Sequence, residues 1–429
     1  MPLLSTPRRR LSGVWMLLLL CVCLLGVAFF LYWKSSPRTR GALLQQAYVW
    51  QRAGSGEMLD AVARSQAKFS NLILLGADVS FEGSQPRVAR VDIDFRQLSS
   101  RVRAIGLVIH IDAFAGDFHD DITTRALVQV SKSLLTDAAA EGLEVRELQL
   151  DFPCDGAHLE DYRHWVTTIR EAVAPVSVSF IALPGWLDQT AFPALARASD
   201  GYVLKLHGSV AGNATSMLLD PSTVLLSTES AAKFGVPFRV ALPTYGMLLA
   251  FDPAGNYVGS SEEGPSPRWP ASVQLRAIHT DPPTLARIVR NLEADRPLML
   301  YGIIWHRLPV STDQLNWQMQ TLDAVMQGLE PLPDLHAVIT RPEANLVEVW
   351  LLNHGDADAH LTQTLIVDPS STTVTASDAL TGFEIARQPE GVIQLRPTAS
   401  ISTLVPGARR LAGWLRVEGD ARVTVKLMN

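Results

Sequence analysis

The stretch that decides the fold is Val145–Trp186, which reads VRELQLDFPCDGAHLEDYRHWVTTIREAVAPVSVSFIALPGW. It consists of a short apolar run that ends in a carboxylate, a polar turn, a segment with helical spacing, and a second apolar run that ends in an aromatic residue. This order predicts a strand–helix–strand unit, and parallel strands joined by helices form sheets that are covered on both faces. In the first strand Leu148 and Leu150 alternate with Gln149 and Asp151, so one face of this strand is suited to lining a cavity.

The same alternation of strands and helices continues on both sides of this stretch. Eight strand-like runs are predicted, namely Ala47–Gln51, Asn71–Ala77, Ala104–Asp112, the run that ends at Asp151, Val176–Leu183, Asp200–His207, Pro237–Pro243 and Leu298–His306. Helices are predicted over Met58–Phe69, Thr123–Glu141, Leu159–Val173, Pro283–Ala294 and Gln314–Met326. Eight such repeats over about 280 residues favour an α/β fold, a (β/α)8 TIM-type barrel over residues 45–330, rather than an open sheet. No Gly-rich phosphate-binding fingerprint follows the first strand, which argues against nucleotide binding.

Three further segments interrupt or follow these repeats. Residues 78–103 contain an alternating run, Arg90–Phe95, that predicts an edge strand, and residues 247–280 form a long Gly/Pro/Ser-rich segment that predicts a binding loop or lid. Over residues 331–429, short alternating runs are separated by Gly, Asp, Asn and Pro turns. This pattern predicts a β-sandwich domain without an evident site of its own.

The N-terminus predicts a membrane anchor. Residues 1–13 are polar, residues 14–33 form an uncharged apolar run long enough to cross a bilayer as a helix, and residues 34–44 form a Ser/Pro/Arg/Gly linker. No small-residue cleavage site follows the run, which favours an uncleaved signal anchor. Because a short N-terminal tail usually stays in the cytoplasm, we expect a single-pass protein of a bacterial inner membrane with its soluble part in the periplasm.

Composition and motifs exclude several classes of partner. The 429 residues carry a formal net charge of −6 and no basic footprint for nucleic acid. The histidines are scattered, with no H-x-x-x-H or H-E-x-x-H pair, so neither a metal nor any other cofactor is predicted. Of the three cysteines only Cys154 lies outside the apolar run, and it has no sequence-adjacent base that would make it a nucleophile.

The candidate site residues follow the predicted strands, because barrel enzymes work at the carboxyl ends of their strands. The candidate catalytic residues are Asp112, Asp151 and Asp155. The candidate substrate-binding residues are His110, Trp186, Lys205, His207, Tyr245, Trp305 and His306. The aromatic residues offer flat apolar faces on which a sugar ring can rest, and the carboxylates can accept hydrogen bonds from its hydroxyls. Together they predict a polysaccharide or oligosaccharide as the partner.

Several of these residues also have a purely structural interpretation. Asp151 and Lys205 can neutralise each other inside the barrel, since a buried charge needs a partner. Asp155 is suited to capping the helix that follows it. Ordinary structural roles are also open to His110, His306 and Trp305.

The sequence resembles an uncharacterised family most closely. The segments AYVWQR near residue 47, LQLDF and DYRHW around residue 150, ALPGW, DGYVLKLHG and GIIWHRLP resemble a bacterial family of membrane-anchored barrel proteins known as a domain of unknown function. This resemblance spans about residues 45–330 and much of the tail. It implies a barrel fold and no particular activity.

More distantly, the sequence is similar to the family-18 chitinase-like glycosidases. In that family the fourth strand ends in D-x-x-D-x-D-x-E, the seventh in a P-x-Y-G turn, and the eighth in a tryptophan that floors the sugar site. The Pro-Thr-Tyr-Gly turn at residues 243–246 and Trp305 fit this pattern, and Asp151 falls on the last Asp. Pro153 then stands where the proton-donating Glu should be, and proline cannot donate a proton. Either another carboxyl has taken the acid role or the barrel binds glycan without cutting it.

Three functions remain open on the sequence alone. The first is a membrane-anchored periplasmic glycoside-hydrolase-like enzyme that acts on a cell-envelope or exported polysaccharide. The second is a non-catalytic glycan-binding or scaffold protein of the envelope, and the third is a polysaccharide deacetylase, which needs a metal. Two carboxyl groups about 5–9 Å apart across the cleft favour the first function. Asp151 locked to Lys205, with no second carboxylate facing the cleft, would count against it.

Overall fold

The computed structural model shows a closed barrel of eight parallel strands followed by a β-sandwich. It describes residues 37–51, 56–114, 116–118, 121–208, 218–262, 269–270, 272–313, 315–370, 372–380, 382–388, 391–398, 403–419 and 422–428. The predicted barrel and the predicted sandwich are both confirmed.

Each barrel strand pairs in parallel with its two neighbours, and the last strand pairs with the first, which closes the ring. The strands are β1 (Leu44–Val49), β2 (Asn71–Glu82), β3 (Ala104–Ile111), β4 (Glu144–Asp151), β5 (Ser177–Ala182), β6 (Tyr202–Lys205), β7 (Phe238–Pro243) and β8 (Leu300–His306). A helix follows each strand, namely α1 (Gly56–Ser65), α2 (Phe95–Ser99), α3 (Asp121–Ala140), α4 (Leu159–Val173), α5 (Phe192–Ala198), α6 (Pro221–Ala232), α7 (Pro282–Ala294) and α8 (Met319–Met326). Two short 3-10 turns, Gly156–His158 and Pro184–Trp186, precede α4 and α5.

Side chains of the strands alternate between the lumen of the barrel and the surrounding layer of helices. A buried cluster separate from the main core fills the lumen and is formed by Tyr48, Ile73, Leu75, Val108, Ile181, Val203, Ala241 and Ile304. The opposite faces of the strands pack on the helices in a much larger apolar core. In β4, Leu148 and Leu150 belong to this outer core, whereas Gln149 and Asp151 face the lumen, as their alternation predicts.

The long segment after β7 is a small sheet and not an irregular loop. Gly246–Phe251 pairs in antiparallel with both Tyr257–Ser261 and Gln274–His279. Met247 and Leu249 alternate on the central strand and pack with Tyr245 in a cluster of their own. The prediction of a loop over residues 247–280 is therefore wrong, because the Gly, Ser and Pro residues between these short strands hide their alternation.

The excursion after β2 and the last barrel helix also differ from prediction. The edge strand is Gln85–Arg90, which pairs in antiparallel with β2, so the strand predicted over Arg90–Phe95 is wrong. β2 continues to Glu82, beyond the predicted end at Ala77, and the edge strand begins at Gln85, before the predicted start at Arg90. The helix predicted from residue 314 begins only at Met319, with Gln318 as its N-cap residue.

Two antiparallel four-stranded sheets pack around a second apolar core to form the sandwich. One sheet holds Leu335–Glu343, Leu346–Asn353, Val374–Ala379 and Arg409–Val417, and the other holds Thr364–Asp368, Phe383–Arg387, Ile393–Pro397 and Thr424–Met428. Ala359–His360 and Thr403–Leu404 pair in antiparallel as a separate two-stranded sheet. The Asp358 carboxylate links the sandwich to the barrel, since it accepts hydrogen bonds from the Gln318 amide at 2.6 Å and from the Thr321 hydroxyl at 2.9 Å.

The first described residues lie at the base of the barrel, opposite the mouth. Arg38–Thr39 pairs in antiparallel with Arg296–Pro297, just before β8, so part of the predicted linker is a strand. The predicted tail, residues 1–13, and the predicted anchor, residues 14–33, lie outside the described residues. Within the part of the chain that the structure describes, no helix combines the length and the apolar character needed to cross a bilayer.

Candidate functional site

Three polar side chains meet at the mouth of the barrel, where β3 and β4 end. His110 and Asp151 are register partners on these two strands. The Nδ1 atom of His110 lies 2.9 Å from Oδ2 of Asp151, and its Nε2 atom lies 3.4 Å from Oδ1 of Asp112. One imidazole thus bridges two carboxylates, of which Asp151 is buried and Asp112 is 57% exposed. Contact through a single ring keeps the two carboxyl oxygens less than about 9 Å apart, which suits a glycosidase pair.

Burial and charge act in opposite directions on these groups. Burial disfavours the ionised form of Asp151, but the hydrogen bond with His110 and the charge of Lys205 outweigh it and hold its pKa below the ordinary value. Burial also disfavours the imidazolium form of His110, but the hydrogen bond with Asp151 and the nearby carboxylates raise its pKa above 6.5. The mouth therefore favours the ionised form of Asp151 and the protonated form of His110.

Lys205 does not form the ion pair with Asp151 that was one interpretation of the sequence. Lys205 ends β6, two strands away from β4, and adjacent strands are about 4.8 Å apart. Asp151 contacts its neighbour His110 instead, and Lys205 forms no ion pair within 4.0 Å among the described residues. The two side chains make no direct contact, and the positive charge of Lys205 acts on Asp151 through space.

Aromatic rings line the other side of the mouth. The ring of His306, at the end of β8, lies 4.8 Å from that of His207 and 5.2 Å from that of Trp50. The hydroxyl of Tyr245 lies 3.2 Å from Nδ1 of His207. Burial, and next the charge of Lys205, lowers the pKa of His306 to about 3. Burial also lowers the pKa of His207 well below its ordinary value, so both rings are neutral at physiological pH.

Trp305 does not reach the mouth, contrary to prediction. It precedes His306 on β8, so its side chain points outward into the helix layer, where it has no exposed surface. Its Nε1 atom donates a hydrogen bond to Oε1 of Gln45 at 2.7 Å. Trp305 therefore offers no face to a sugar, and its fit to the tryptophan that floors the chitinase site is wrong. The lumen-facing residue at this strand end is His306.

Asp155 has the capping role that was the alternative to catalysis. Its carboxylate accepts a hydrogen bond from the Ala157 amide at 3.1 Å and caps the turn Gly156–His158. This contact explains its position after β4 without any part in the chemistry. Burial raises the pKa of the neighbouring Cys154 thiol to about 12, which keeps this cysteine protonated and unreactive.

A cavity of about 760 Å³ lies beside Lys205 at the same end of the barrel. Leu183, Trp186 and His207 form part of its wall. The Nε1 atom of Trp186 donates a hydrogen bond to the carbonyl of Cys154 at 3.2 Å, which holds the ring in place. The volume lies within the range of small-molecule sites, so three of the predicted binding residues share one ligand-sized cavity.

A buried ion pair supports the mouth from below. Arg239 on β7 donates hydrogen bonds to both carboxylate oxygens of Glu147 on β4. Ser179 and Gln149 donate to the same carboxylate at 2.6 and 3.1 Å, and the Tyr48 hydroxyl donates to Gln149 at 2.6 Å. This network pairs the two buried charges and fixes Tyr48 beneath the rings of the mouth.

The site offers a metal no ready set of ligands. Among the residues placed by the structure, no group of three or more His, Cys, Asp or Glu side chains is arranged to hold a metal ion. His110 and Asp112 contact each other. These residues give no support to the deacetylase alternative.

Sequence reasoning missed Tyr48 and Trp50, which complete the ring cluster. Their rings lie 5.5 Å apart in an edge-to-face arrangement, and that of Trp50 lies 6.3 Å from the ring of His110. The signal was present, because the two residues share one face of the first predicted strand. The apolar residues of that strand indicated a core position, so the two rings near its carboxyl end were not assigned to the site.

Two family models match the chain. Residues 101–311 match DUF3142, a domain of unknown function. Residues 337–418 match DUF8456, a second domain of unknown function. The predicted resemblance to an uncharacterised family is thereby confirmed. No curated protein matches the sequence.

Similar solved structures include bacterial enzymes at low identity. The spore cortex-lytic enzyme SleL of Bacillus cereus is 11% identical, with a TM-score of 0.46 over 68% of this chain and 75% of that one. Chitinase ChiA74 of Bacillus thuringiensis is 9% identical, with a TM-score of 0.45 over 90% and 100% of the two chains. A chitinase of Bacteroides thetaiotaomicron is 9% identical, with a TM-score of 0.44 over 68% and 96%. Similarity at this level carries no argument for the activity of this chain.

Proposed function

We propose that the barrel is a glycoside-hydrolase-like enzyme that binds a cell-envelope or exported polysaccharide across its mouth and hydrolyses it. The observation that carries this proposal is the pair of carboxylates, Asp151 and Asp112, bridged by His110 at the end of the barrel that also holds a ligand-sized cavity. Glycosidases place two carboxyl groups about 5–9 Å apart around the bond that they cleave. The mouth meets that requirement with residues of adjacent strands.

The two carboxylates take different roles because their environments differ. Asp151 is buried and ionised, so it stabilises the positive charge that develops at the anomeric carbon as the glycosidic bond breaks. The His110–Asp112 pair, in which Asp112 is exposed, gives a proton to the departing glycosidic oxygen. Water then adds its oxygen to the anomeric carbon, and the proton that it releases returns to the His110–Asp112 pair.

The sugar ring rests on the ring cluster instead of on Trp305. Trp50 is only partly buried, and its ring lies next to that of His306 and to that of His110, which bridges the carboxylates. An aromatic face beside a carboxylate suits a sugar, which presents apolar C–H groups and polar hydroxyls at the same time.

We further propose that residues 14–33 anchor the chain in a bacterial inner membrane, with the barrel in the periplasm. The uncharged apolar run and the absence of a cleavage motif support the anchor. The strand Arg38–Thr39, a few residues downstream, pairs at the base of the barrel, so an anchored barrel opens away from the bilayer. A C-terminal alkaline phosphatase fusion tests the orientation, and an inactive, cytoplasmic fusion would refute it.

Hydrolysis is tested with the full-length protein in detergent on a panel of cell-envelope and exported polysaccharides, with new reducing ends as the readout. We expect Asp151→Asn and Asp112→Asn to lose about 100-fold or more of the activity. The matched control Asp155→Asn retains a capping side chain and should retain the activity. Equal activity in all three variants would refute the assignment of the two carboxylates.

The second candidate is a glycan-binding protein without turnover. Pro153 occupies the position of the chitinase acid and Asp155 is engaged as a cap, which is what a barrel that had lost catalysis would show. Calorimetry on the same samples separates the two functions. Saturable binding without new reducing ends would establish the second candidate and refute the first.

A further inference from the structure

Lys205 contacts no charged partner among the described residues of the cavity that it borders. Its side chain is half-buried at the end of β6, and it forms no ion pair within 4.0 Å among the described residues. A partly buried ammonium group without a counter-charge in contact is costly, because the protein gives it less solvation than water does. Lys205 is therefore placed to meet a negative charge that arrives with a ligand.

The other charged residue in the wall of this cavity is already engaged. Asp220 borders the cavity at the start of α6, and its carboxylate accepts hydrogen bonds from the Ser222 amide at 2.9 Å and from the Ser222 hydroxyl at 2.7 Å. These contacts cap α6 and direct the carboxylate to the helix. Asp151, at the same end of the barrel, is likewise engaged by His110.

The negative and positive charges at the mouth lie at the ends of different strands. Asp112 and Asp151 lie at the ends of β3 and β4, whereas Lys205 lies at the end of β6, next to apolar walls that include Leu183 and Trp186. A glycan that crosses the mouth with its glycosidic bond over the carboxylates places the neighbouring sugar in the cavity. That sugar meets flat apolar surface and one positive charge.

We propose that the cavity beside Lys205 binds a sugar unit that carries an anionic substituent, and that the substrate is therefore an acidic glycan. This inference rests on the proposed function and names its substrate class. The ammonium group of lysine acts as a point charge, so the shared chemistry is a carboxylate, sulfate or phosphate on the sugar. The volume of about 760 Å³ accommodates such a unit.

The test compares ligands that differ only in charge. Calorimetry on the full-length protein in detergent uses a uronic-acid oligosaccharide, the same oligosaccharide with its carboxyl groups reduced to alcohols, and sulfated and phosphorylated forms of the reduced backbone. We expect at least one anionic form to bind about 10–100-fold more tightly than the neutral form, with an advantage that shrinks as salt is added. The form that binds best identifies the anion.

Variants then assign the effect to Lys205. Lys205→Met should remove the advantage of the anionic form over the neutral form, whereas Lys205→Arg should keep most of it. Lys233→Met is the matched control, because Lys233 is exposed just after α6, at the opposite end of the barrel. Asp220→Asn keeps a capping side chain and removes a negative charge from the cavity, so it should bind the anionic form more tightly.

The outcomes separate this inference from the proposed function. Equal binding of neutral and anionic forms by the unmodified protein overturns the inference and leaves glycan hydrolysis intact. An anionic advantage that persists in Lys205→Met also overturns it. Binding of none of the oligosaccharides overturns both proposals. Because the first comparison uses only the unmodified protein, it decides the question even where a variant fails to fold.

Discussion

Replacing Asp151 by asparagine removes the negative charge that faces His110 and leaves the shape of the side chain nearly unchanged. The contact is a charge-assisted hydrogen bond of 2.9 Å, and bonds of this kind contribute about 1.5–3 kcal/mol. Because this energy favours the imidazolium form, its loss should lower the equilibrium constant for protonation of His110 by about 10–100-fold. Burial continues to oppose the charge, so the pKa of His110 should fall from above 6.5 to below it.

The assay is a pH titration of the full-length protein with isotope-labelled histidine side chains, followed by NMR. The variant His110→Gln assigns the signal. Asp155→Asn is the matched control, since it neutralises a carboxylate four residues further along the chain that does not contact His110. An unchanged pKa of His110 in Asp151→Asn would refute the reasoning that Asp151 holds the proton on this ring.

The same pair makes the free energy of unfolding depend on pH. The pKa of His110 is raised on folding, so its contribution is full below its unfolded value of 6.5 and is lost as pH rises through the folded pKa. The pKa of Asp151 is depressed, so its contribution is present above its unfolded value of 3.8 and is lost as pH falls through the folded pKa. The stability difference between the unmodified protein and Asp151→Asn should therefore be largest between pH 3.8 and 6.5 in urea titrations.

Three further predictions concern the lumen, the outer core and the contact between the domains. Arg239→Met leaves Glu147 buried without its partner and should lower the free energy of unfolding in urea by about 3–5 kcal/mol, and a second change, Glu147→Leu, should restore most of it. Trp305→Ala should lower the free energy of unfolding by about 3–5 kcal/mol without altering glycan affinity. Trp50→Ala should weaken glycan binding in calorimetry about tenfold with little effect on stability. The reverse pattern would show that the lumen-facing side of β8 is wrongly assigned. Burial lowers the pKa of His360 to about 4, so on acidification the unfolded chain takes up a proton at this residue before the folded chain does. The free energy of unfolding should therefore fall by up to about 1.4 kcal/mol per pH unit for this residue as pH falls below 6.5. His360→Phe keeps a flat ring stacked on His279 and should reduce the dependence of stability on pH. The same dependence in this variant and in the unmodified protein would contradict the assignment of the effect to His360.

The barrel strands were predictable because each is short, apolar and followed by a turn and a helix or excursion. Helix α4 has the bounds that its apolar spacing and the preceding Asp155-Gly156 turn predict, Leu159–Val173. The sheet after β7 was not predictable in the same way. Its strands are separated by long polar segments, and they are stabilised by packing against Tyr245 and against one another, which no local pattern reveals.

Within the site, local alternation was informative where the two faces of a strand differ in polarity. In β4 one face is apolar and the other carries Gln149 and Asp151, so the lumen side could be assigned from the chain alone. In β8 both faces are apolar up to Trp305, and the assignment of that residue to the mouth was wrong. Only closure of the barrel distinguishes its two faces.

The amino-acid sequence by itself determined the eight repeats, the sandwich and the lumen-facing side of Asp151, because these depend on periodicities within a few consecutive residues. The tertiary structure decided that Asp151 contacts His110 and not Lys205, and that His306 and not Trp305 faces the lumen. The physical reason is the register between strands. Pairing of β3 with β4 joins residues that lie 41 positions apart, whereas Lys205 stands two strands away across the mouth.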